Sequence, residues 1–355
     1  MGNLFHLGGA GIEGLVKAMT EQGEVWGPVR KGKGHVFGRI HSPRDLDLDY
    51  TRTILPPRKL FFKPQGTLVY FGRRNEEESR EGKRARRFLV GLRPCDAYAL
   101  EILDKVYGEG SPDPEYLSLR ANTAIVGMNC TRVGENCFCL SMGCGPDWKG
   151  DYDLLLTALE EGYLVEVGSS RGLELARRAG LPPAPRVSMV EKDRLLEEAS
   201  GGFRRKMPAK NRERLLKEYA GHSIWEQLAG ECLACGACTQ VCPTCFCYRV
   251  MDRMDLDLQG GERQWEWDSC LAREYAEVAM GHNFRRERSA RLQQRVYHKL
   301  LYQQEQFGVP GCVGCGRCIA ACPKGLDLCR VVETLASLED GWRSGRESYA
   351  PSAAS

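Results

Sequence analysis

Two cysteine runs with the same spacing carry the clearest chemistry in this sequence. Each run, residues 232–243 and 312–323, has cysteine at its first, fourth, seventh and eleventh positions and proline at its twelfth. Bacterial ferredoxins use this spacing to ligate a [4Fe-4S] cluster, because the short intervals let the chain turn tightly around the cubane. We therefore predict two clusters. Their predicted ligands are Cys232, Cys235, Cys238, Cys242, Cys312, Cys315, Cys318 and Cys322.

The fourth cysteine of each run is expected to serve the other cluster, as in two-cluster ferredoxins. Cys322 would then complete the ligand set of the first run, and Cys242 that of the second. Zinc bound by two CxxC pairs would leave the third and fourth cysteines of each run unexplained. Disulfides are not expected either, because the N-terminus has no secretory signal.

The composition predicts a cytoplasmic protein with more than one domain. The chain has 355 residues, 42% of them apolar, and its 17 cysteines suit a reducing compartment. No apolar run reaches the length of about 18 residues that a membrane helix needs. A net charge of +3 is too small to indicate nucleic-acid binding. Only the basic stretch 285–299 suggests an iron-sulfur nucleic-acid-binding protein, the alternative from another functional class.

The first half of the chain is predicted to be an α/β domain that brings further cysteines together. Two apolar runs, residues 88–92 and 124–128, read as strands, and each is soon followed by a cysteine, Cys95 or Cys130. If the strands are parallel neighbours, both thiols leave the carboxyl edge of the sheet, where open α/β sheets bind ligands. Asp96 is predicted to cap the helix after the first strand. The nearby cysteines that can join a third cluster are Cys137, Cys139 and Cys144.

A glycine motif near the N-terminus does not predict a nucleotide site. The segment Gly9-Ala-Gly11-Ile-Glu-Gly14 matches GxGxxG, but we identify no strand before it. The apolar residues around it recur at helical spacing, as in an ordinary amphipathic helix. Nicotinamide chemistry is therefore expected on another subunit.

The second half of the chain reads as helical, so we predict an α+β protein whose α/β domain precedes an α-helical ferredoxin-like domain with two [4Fe-4S] clusters. Helices are expected at residues 271–280 and 288–302, among others, and the long segment between the runs is unlike the short link of a small β-type ferredoxin. The predicted divisions are residues 1–200 for the α/β domain with an extra cluster, 201–210 for a linker, 211–340 for the helical dicluster domain and 341–355 for a disordered tail.

Four cysteines of the second half stand outside the two runs. Pro243 suits the first turn of a helix, which would place Cys245 and Cys247 near a helix N-terminus that favours thiolate. Together with Cys270, these residues either pack as small apolar side chains or help to bind a further cluster. We assign Cys329 a structural role.

Several segments outside the runs resemble those of a known family, the dicluster iron-sulfur subunits. This family includes the beta subunit of soluble nickel-iron sulfhydrogenases and the A subunit of anaerobic sulfite reductase. The segments that carry the resemblance are Arg52-Thr-Ile-Leu-Pro-Pro57, Pro94-Cys95-Asp96, Asn136-Cys137-Phe-Cys139, Cys242-Pro-Thr-Cys245-Phe-Cys247-Tyr248, Trp267-Asp-Ser-Cys270, Gly281-His-Asn-Phe-Arg285 and Arg295-Val-Tyr-His298-Lys299.

The resemblance implies an electron-transfer subunit between a flavin-containing NAD(P) subunit and a catalytic subunit, preferably a nickel-iron hydrogenase. Sulfite reductase and a heterodisulfide-reductase-like bifurcating complex are the alternatives. No nucleophile-base pair or phosphate loop points to catalysis by this chain itself. The implied third ligand set is Cys95, Cys130, Cys137 and Cys139. The family is expected to carry Thr where this chain has Cys144, which therefore receives a structural role.

Overall fold

The computed structural model describes residues 4–72, 85–208 and 211–347. A seven-stranded sheet forms the first half, with strand order β1-β8-β7-β6-β5-β2-β3. Its strands are β1 (Leu4–Leu7), β2 (Glu24–Lys31), β3 (Gly34–Ile40), β5 (Arg87–Leu92), β6 (Thr123–Met128), β7 (Leu154–Ala158) and β8 (Tyr163–Val167). The four central strands, β2, β5, β6 and β7, pair in parallel, and the outer pairings are antiparallel.

Helices cover both faces of this sheet, which accounts for the continuous apolar character of its central strands. Every residue of β5 and β6 is buried. The helices of this half are α1 (Gly9–Thr20), α2 (Pro94–Gly108), α3 (Pro114–Ala121), α4 (Ser170–Arg178) and α5 (Val187–Gly201). On one face, α1 and α4 pack on the sheet, and on the other face α2 and α3 do so. The mixed α/β architecture predicted for this half is confirmed.

The second half is mainly helical. Its helices are α6 (Arg212–Glu218), α7 (Ile224–Glu231), α8 (Ala237–Gln240), α9 (Arg288–Tyr297), α10 (Gln303–Phe307), α11 (Arg317–Ala321) and α12 (Leu328–Glu347). A π-helical turn, His298–Tyr302, joins α9 to α10. Apolar side chains of α6, α7, α9 and α12 form one core.

A second sheet corrects the expectation that this half is helical throughout. Strands β9 (Tyr248–Met254) and β10 (Gly260–Trp267) form a hairpin, and β10 also pairs with β4 (Gln65–Gly72) from the first half. The predicted helix over residues 271–280 is wrong as well, since this segment contains only two short 3₁₀ turns, Glu274–Ala276 and Ala279–Gly281. The sheet ties the two halves of the chain together.

Helix α12 continues through residues 341–347, where the disordered tail was expected to begin, and residues 348–355 lie outside the described part. The last two residues of the expected linker, 209–210, lie outside it too. Within the described residues, none of the helices combines the length and the apolar character that a membrane-spanning helix needs.

Candidate metal centres

The cysteines of the first run line a cavity between the run and helix α9. Its walls are otherwise apolar, apart from Arg295 of α9, Lys324 and Asp327. The thiols that line it are those of Cys232, Cys235, Cys238, Cys318 and Cys322. Cys322 therefore lies beside the run whose ligand set it is expected to complete.

Left-handed backbone at two positions lets the first run turn around this cavity. Ala234 has φ +53° and Gly236 has φ +74°, and α8 begins directly after Gly236. The turn directs the amide of Ala234 toward the sulfur of Cys232, which accepts its hydrogen bond at 3.4 Å. In the second run Gly314 and Gly316 have the same left-handed conformation, and α11 follows. Both runs therefore fold alike.

The second run is more deeply buried than the first. Cys235 of the first run is exposed, whereas the equivalent Cys315 is only 7% exposed. Burial raises the pKa of the Cys312 thiol, and the charge of Cys242 adds to this effect. The charge of Cys242 also raises the pKa of the Cys315 and Cys318 thiols. Cys242 thus lies close to the three thiols of the second run, as the exchange of fourth ligands requires.

The cysteines of the first half gather at the carboxyl edge of the large sheet. Strands β5 and β6 pair in parallel, and Cys95 and Cys130 follow them. Cys95 packs in one buried cluster with Cys137, Cys139 and Cys315 of the second run. Burial raises the pKa of Cys130, which the charge of nearby Cys137 raises further. All four cysteines of the expected third ligand set are therefore close together.

This third group touches the second run directly. The Cys137 sulfur lies 3.8 Å from the carbonyl oxygen of Cys315, and the Phe138 amide donates a hydrogen bond of 2.8 Å to the carbonyl of Gly314. A Cβ atom at Gly314 would lie 2.6 Å from the Cα atom of Cys139, so only glycine permits this approach. The two thiol groups are neighbours because the backbones that carry them are in contact.

Asp96 is not the helix cap that the sequence suggested. Arg93 occupies the N-cap position of α2, and Pro94 begins the helix. The Asp96 carboxylate instead accepts two hydrogen bonds from Arg317, at 2.6 and 2.7 Å, with both side chains almost fully buried. Arg317 also donates to Thr53. A buried ion pair therefore fixes the second run to the first half.

Sequence reasoning missed a set of buried cations beside the thiols. Arg93, Arg58, Arg295 and Lys299 are at most 5% exposed, and among the described residues none forms a salt bridge with Asp or Glu. The charge of Arg93 lies close to Cys130 and acts to lower the pKa of its thiol, against the effect of burial. Burial acts to lower the pKa of Arg295, but the charges of Cys238 and Cys318 raise it well above its usual value. The cations complement negative charge on the thiols.

Three of the basic residues in the stretch 285–299, which suggested the nucleic-acid alternative, are buried. Arg291, Arg295 and Lys299, which belong to the basic stretch 285–299, are 8%, 5% and 1% exposed. They lie on successive turns of one helical face, which packs against the cysteine runs. Side chains in this position do not form a surface for phosphate contacts. The four-residue spacing of Arg295 and Lys299 was the one signal in the sequence that they share a face.

Cys245, Cys247 and Cys270 form a further group beside Cys242. The thiols of Cys247 and Cys270 interact closely, and this interaction lowers the pKa of Cys247. Cys245 and Cys242 form a second close pair, and their interaction lowers the pKa of Cys242 and raises that of Cys245. These thiols thus occur in contacting pairs, and no helix N-terminus holds them, because the chain after Pro243 enters β9 instead of a helix.

The remaining two cysteines differ in their surroundings. Cys144 is buried against the third group, and its sulfur lies 3.3 Å from the carbonyl of Met142. Burial raises the pKa of its thiol to about 12. Cys329 packs in the helical core of the second half.

The arrangement of the cysteine thiols suits iron-sulfur clusters better than single metal ions. In the described parts of the chain, no three His, Cys, Asp or Glu side chains converge tightly enough to chelate one metal ion. A four-iron cubane binds each thiolate at a separate iron corner, so its ligands surround a volume instead of meeting at a point. The cavity of the first run, walled by thiols and apolar side chains, fits such a group.

The GxGxxG segment is engaged in packing. Contrary to the sequence interpretation, a strand does precede it, since β1 ends at Leu7 and α1 begins at Gly9. A Cβ atom at Gly14 would lie 2.7 Å from the carbonyl oxygen of Ala179, and one at Gly11 would lie 3.0 Å from Leu7. These glycines allow α1 to approach the end of α4 and the first strand closely.

Comparisons with known proteins agree with this geometry. The family model described as "4Fe-4S dicluster domain" matches residues 231–326. The chain is 35% identical over 317 residues to Sulfhydrogenase 2 subunit beta of Pyrococcus furiosus, a match that covers 89% of this chain and 93% of that protein. No solved structure matches the chain. The cofactors of the chain are [4Fe-4S] clusters.

Proposed function

The chain belongs to the family of dicluster iron-sulfur subunits that includes the sulfhydrogenase beta subunit, and we propose that it is the electron-transfer subunit of an oxidoreductase complex. The observation that carries the proposal is the continuity of the thiol groups. Exposed Cys235 marks one end, Cys242 lies between the two runs, and the contact of Cys137 with Cys315 leads into the first half. Such a series suits conduction between a surface and an interior.

Three clusters are proposed. The first is held by Cys232, Cys235, Cys238 and Cys322, the second by Cys312, Cys315, Cys318 and Cys242, and the third by Cys95, Cys130, Cys137 and Cys139. Iron-sulfur clusters carry one electron at a time, at potentials that depend on local charge, hydrogen bonds and burial. Arg295 supplies a cation beside the first two sets, and Arg93 supplies one beside the third. These charges favour the reduced state of each cluster.

The proposed partners are a nickel-iron hydrogenase catalytic subunit and a flavin-containing NAD(P) subunit, in a cytoplasmic complex. The name of the curated relative supports the hydrogenase. The flavoprotein follows from the absence of a recognisable nucleotide motif, since the only GxGxxG segment packs α1 against α4. Anaerobic sulfite reductase and a heterodisulfide-reductase-like bifurcating complex are the alternative complexes in which this subunit would transfer electrons.

The test is to purify the complex anaerobically and measure its partial reactions separately. In Cys322→Ala, hydrogen oxidation with a viologen dye and NAD(P)H oxidation with a dye should persist, whereas hydrogen-driven reduction of NAD(P)⁺ should fall at least tenfold. Cys329→Ala, which removes a thiol from the helical core, is the matched control. Full coupled activity in a Cys322→Ala complex that has lost the first cluster would refute the proposal. Copurification of sulfite reductase subunits would select the alternative.

The third cluster needs a separate test in the full-length chain. Cys95→Ser should remove about four iron atoms per chain. Cys144→Ser, which alters a buried neighbour outside the proposed ligand set, should leave the iron content unchanged. Equal iron contents in the two variants would exclude this ligand set.

A further inference from the structure

The thiols of Cys245, Cys247 and Cys270 form a group that the three proposed clusters do not use. The β9–β10 hairpin brings two of them together, because Cys247 precedes β9, Cys270 follows β10, and Tyr248 pairs with Trp267 across the ladder. A hydrogen bond of 3.0 Å from the amide of Asp268 to the carbonyl of Cys247 extends this pairing. The hairpin therefore closes at a pair of contacting thiols.

Cys245 lies two residues before Cys247, in the chain segment that leads into β9, and its thiol is next to that of Cys242. It is 5% exposed, and Cys270 is 7% exposed. Its carbonyl accepts a hydrogen bond from Arg58, a residue of the first half. The Tyr275 hydroxyl is close to the Cys247 thiol, so an oxygen donor is available beside the group.

Two buried cations flank the three thiols without a carboxylate partner among the described residues. Lys299 is 1% exposed and donates only to the carbonyl and the hydroxyl of Thr244, at 3.1 and 2.9 Å. Arg58 is 3% exposed, lies 3.9 Å from the ring centroid of Trp267 and donates only to backbone carbonyls. Buried charge is strongly destabilising unless an opposite charge balances it. Neutral thiols packed as small apolar side chains provide no such charge.

The second cluster supplies only part of the negative charge that Lys299 and Arg58 require. Cys242 lies beside Cys312, Cys315 and Cys318, so its thiolate belongs to that set. Lys299 and Arg58 lie close to Cys245 and Cys247 as well as to Cys242. The pair of cations therefore points to anionic charge at the three remaining thiols.

We propose that Cys245, Cys247 and Cys270 bind a further iron-sulfur cluster, a cubane held by three cysteine thiolates whose fourth iron faces the hydroxyl of Tyr275. The donor set is suitable because cluster irons take thiolates, and a tyrosine oxygen ligates iron in catalase. The hairpin and the bond from Arg58 hold the three sulfurs in place before the cluster binds.

Iron content tests the ligand set in the full-length holoprotein. Cys245→Ser, Cys247→Ser and Cys270→Ser should each remove about four iron atoms per chain, whereas the matched control Cys329→Ser should remove none. Combining Cys270→Ser with Cys95→Ser should remove the iron of two clusters, which separates this site from the proposed third cluster. Unchanged iron in a folded Cys270→Ser variant would overturn the inference.

A measurement on the wild-type protein keeps the test valid if those variants do not fold. A cubane with three cysteine ligands gives one electron to ferricyanide and releases one ferrous ion, which leaves a three-iron cluster with its own EPR signal. We expect this signal in the wild type and in Cys329→Ser, and its formation should be faster in Tyr275→Phe. Absence of the signal in the wild type would refute a three-thiolate site. Loss of the signal in Cys242→Ser, with the second cluster intact, would show a four-cysteine site instead.

Discussion

The contact between Gly314 and Cys139 gives the sharpest prediction about how the two halves join. In Gly314→Ala the new Cβ atom would lie 2.6 Å from both the Cα and the N of Cys139 and 2.7 Å from the carbonyl carbon of Phe138. All three neighbours are backbone atoms, so a rotamer change cannot relieve the clash. The residue also has φ +67°, a left-handed conformation that alanine adopts at a cost.

The expected loss of stability has two parts. Left-handed backbone costs a residue with a Cβ atom about 1–2 kcal/mol, and overpacking costs about 1–3 kcal/mol more. The free energy of unfolding of Gly314→Ala should therefore fall by about 2–5 kcal/mol. Gly308→Ala is the matched control, because Gly308 has φ +71° and no atom within 4 Å of its Cβ position. The free energy of unfolding of Gly308→Ala should fall only by the conformational part.

Anaerobic urea unfolding, followed by tryptophan fluorescence, measures both variants under the same conditions. The difference between their free energies of unfolding isolates the steric part, about 1–3 kcal/mol. Equal losses in Gly314→Ala and Gly308→Ala would refute the close approach of the second run to the loop that carries Cys139.

Three other predictions concern the ion pair, the exchange of ligands and nucleotide binding. Asp96→Asn should lower the free energy of unfolding by about 3–5 kcal/mol, because it leaves Arg317 buried without its partner, and the double variant Asp96→Leu/Arg317→Met should recover most of that loss in the same urea assay. Low-temperature EPR of reduced Cys322→Ala should show loss of the cluster bound by the first run, and loss of the second run's cluster alone would mean that each run is self-contained. Fluorescence titration of the isolated subunit with NADH and NADPH should show no saturable micromolar binding, whereas saturation in that range would place a nucleotide site on this chain.

The parts of the structure that sequence predicts well are those with local signals. Strands β5 and β6 are short apolar runs, and the cysteine spacing sets the turn of each run. The β9–β10 hairpin was missed because both strands are rich in charged residues and lack a clear apolar alternation; β9 is largely exposed, and β10 is mostly half-buried. Their partner β4 lies in the other half of the sequence, a pairing that local pattern does not reveal.

The buried cations were missed for a different reason. Arginine and lysine are rarely buried, so a sequence reading assigns them to the surface. Asp96 illustrates the same limit, since a carboxylate after a strand fits a helix cap, and only the fold shows that it pairs with Arg317. Whether such a charged residue is exposed, caps a helix or forms a buried ion pair depends on residues that are distant in the sequence.

The contact between Cys137 and Cys315 has a consequence for how the protein matures. The thiols of the first half lie beneath the second run, with the backbone of Gly314 against Cys139 and the Arg317–Asp96 pair closing the same junction. A carrier protein that donates iron and sulfide reaches Cys137 and Cys139 only while the halves are apart. Loading of the proposed third cluster would therefore have to precede the docking of the second run on the first half.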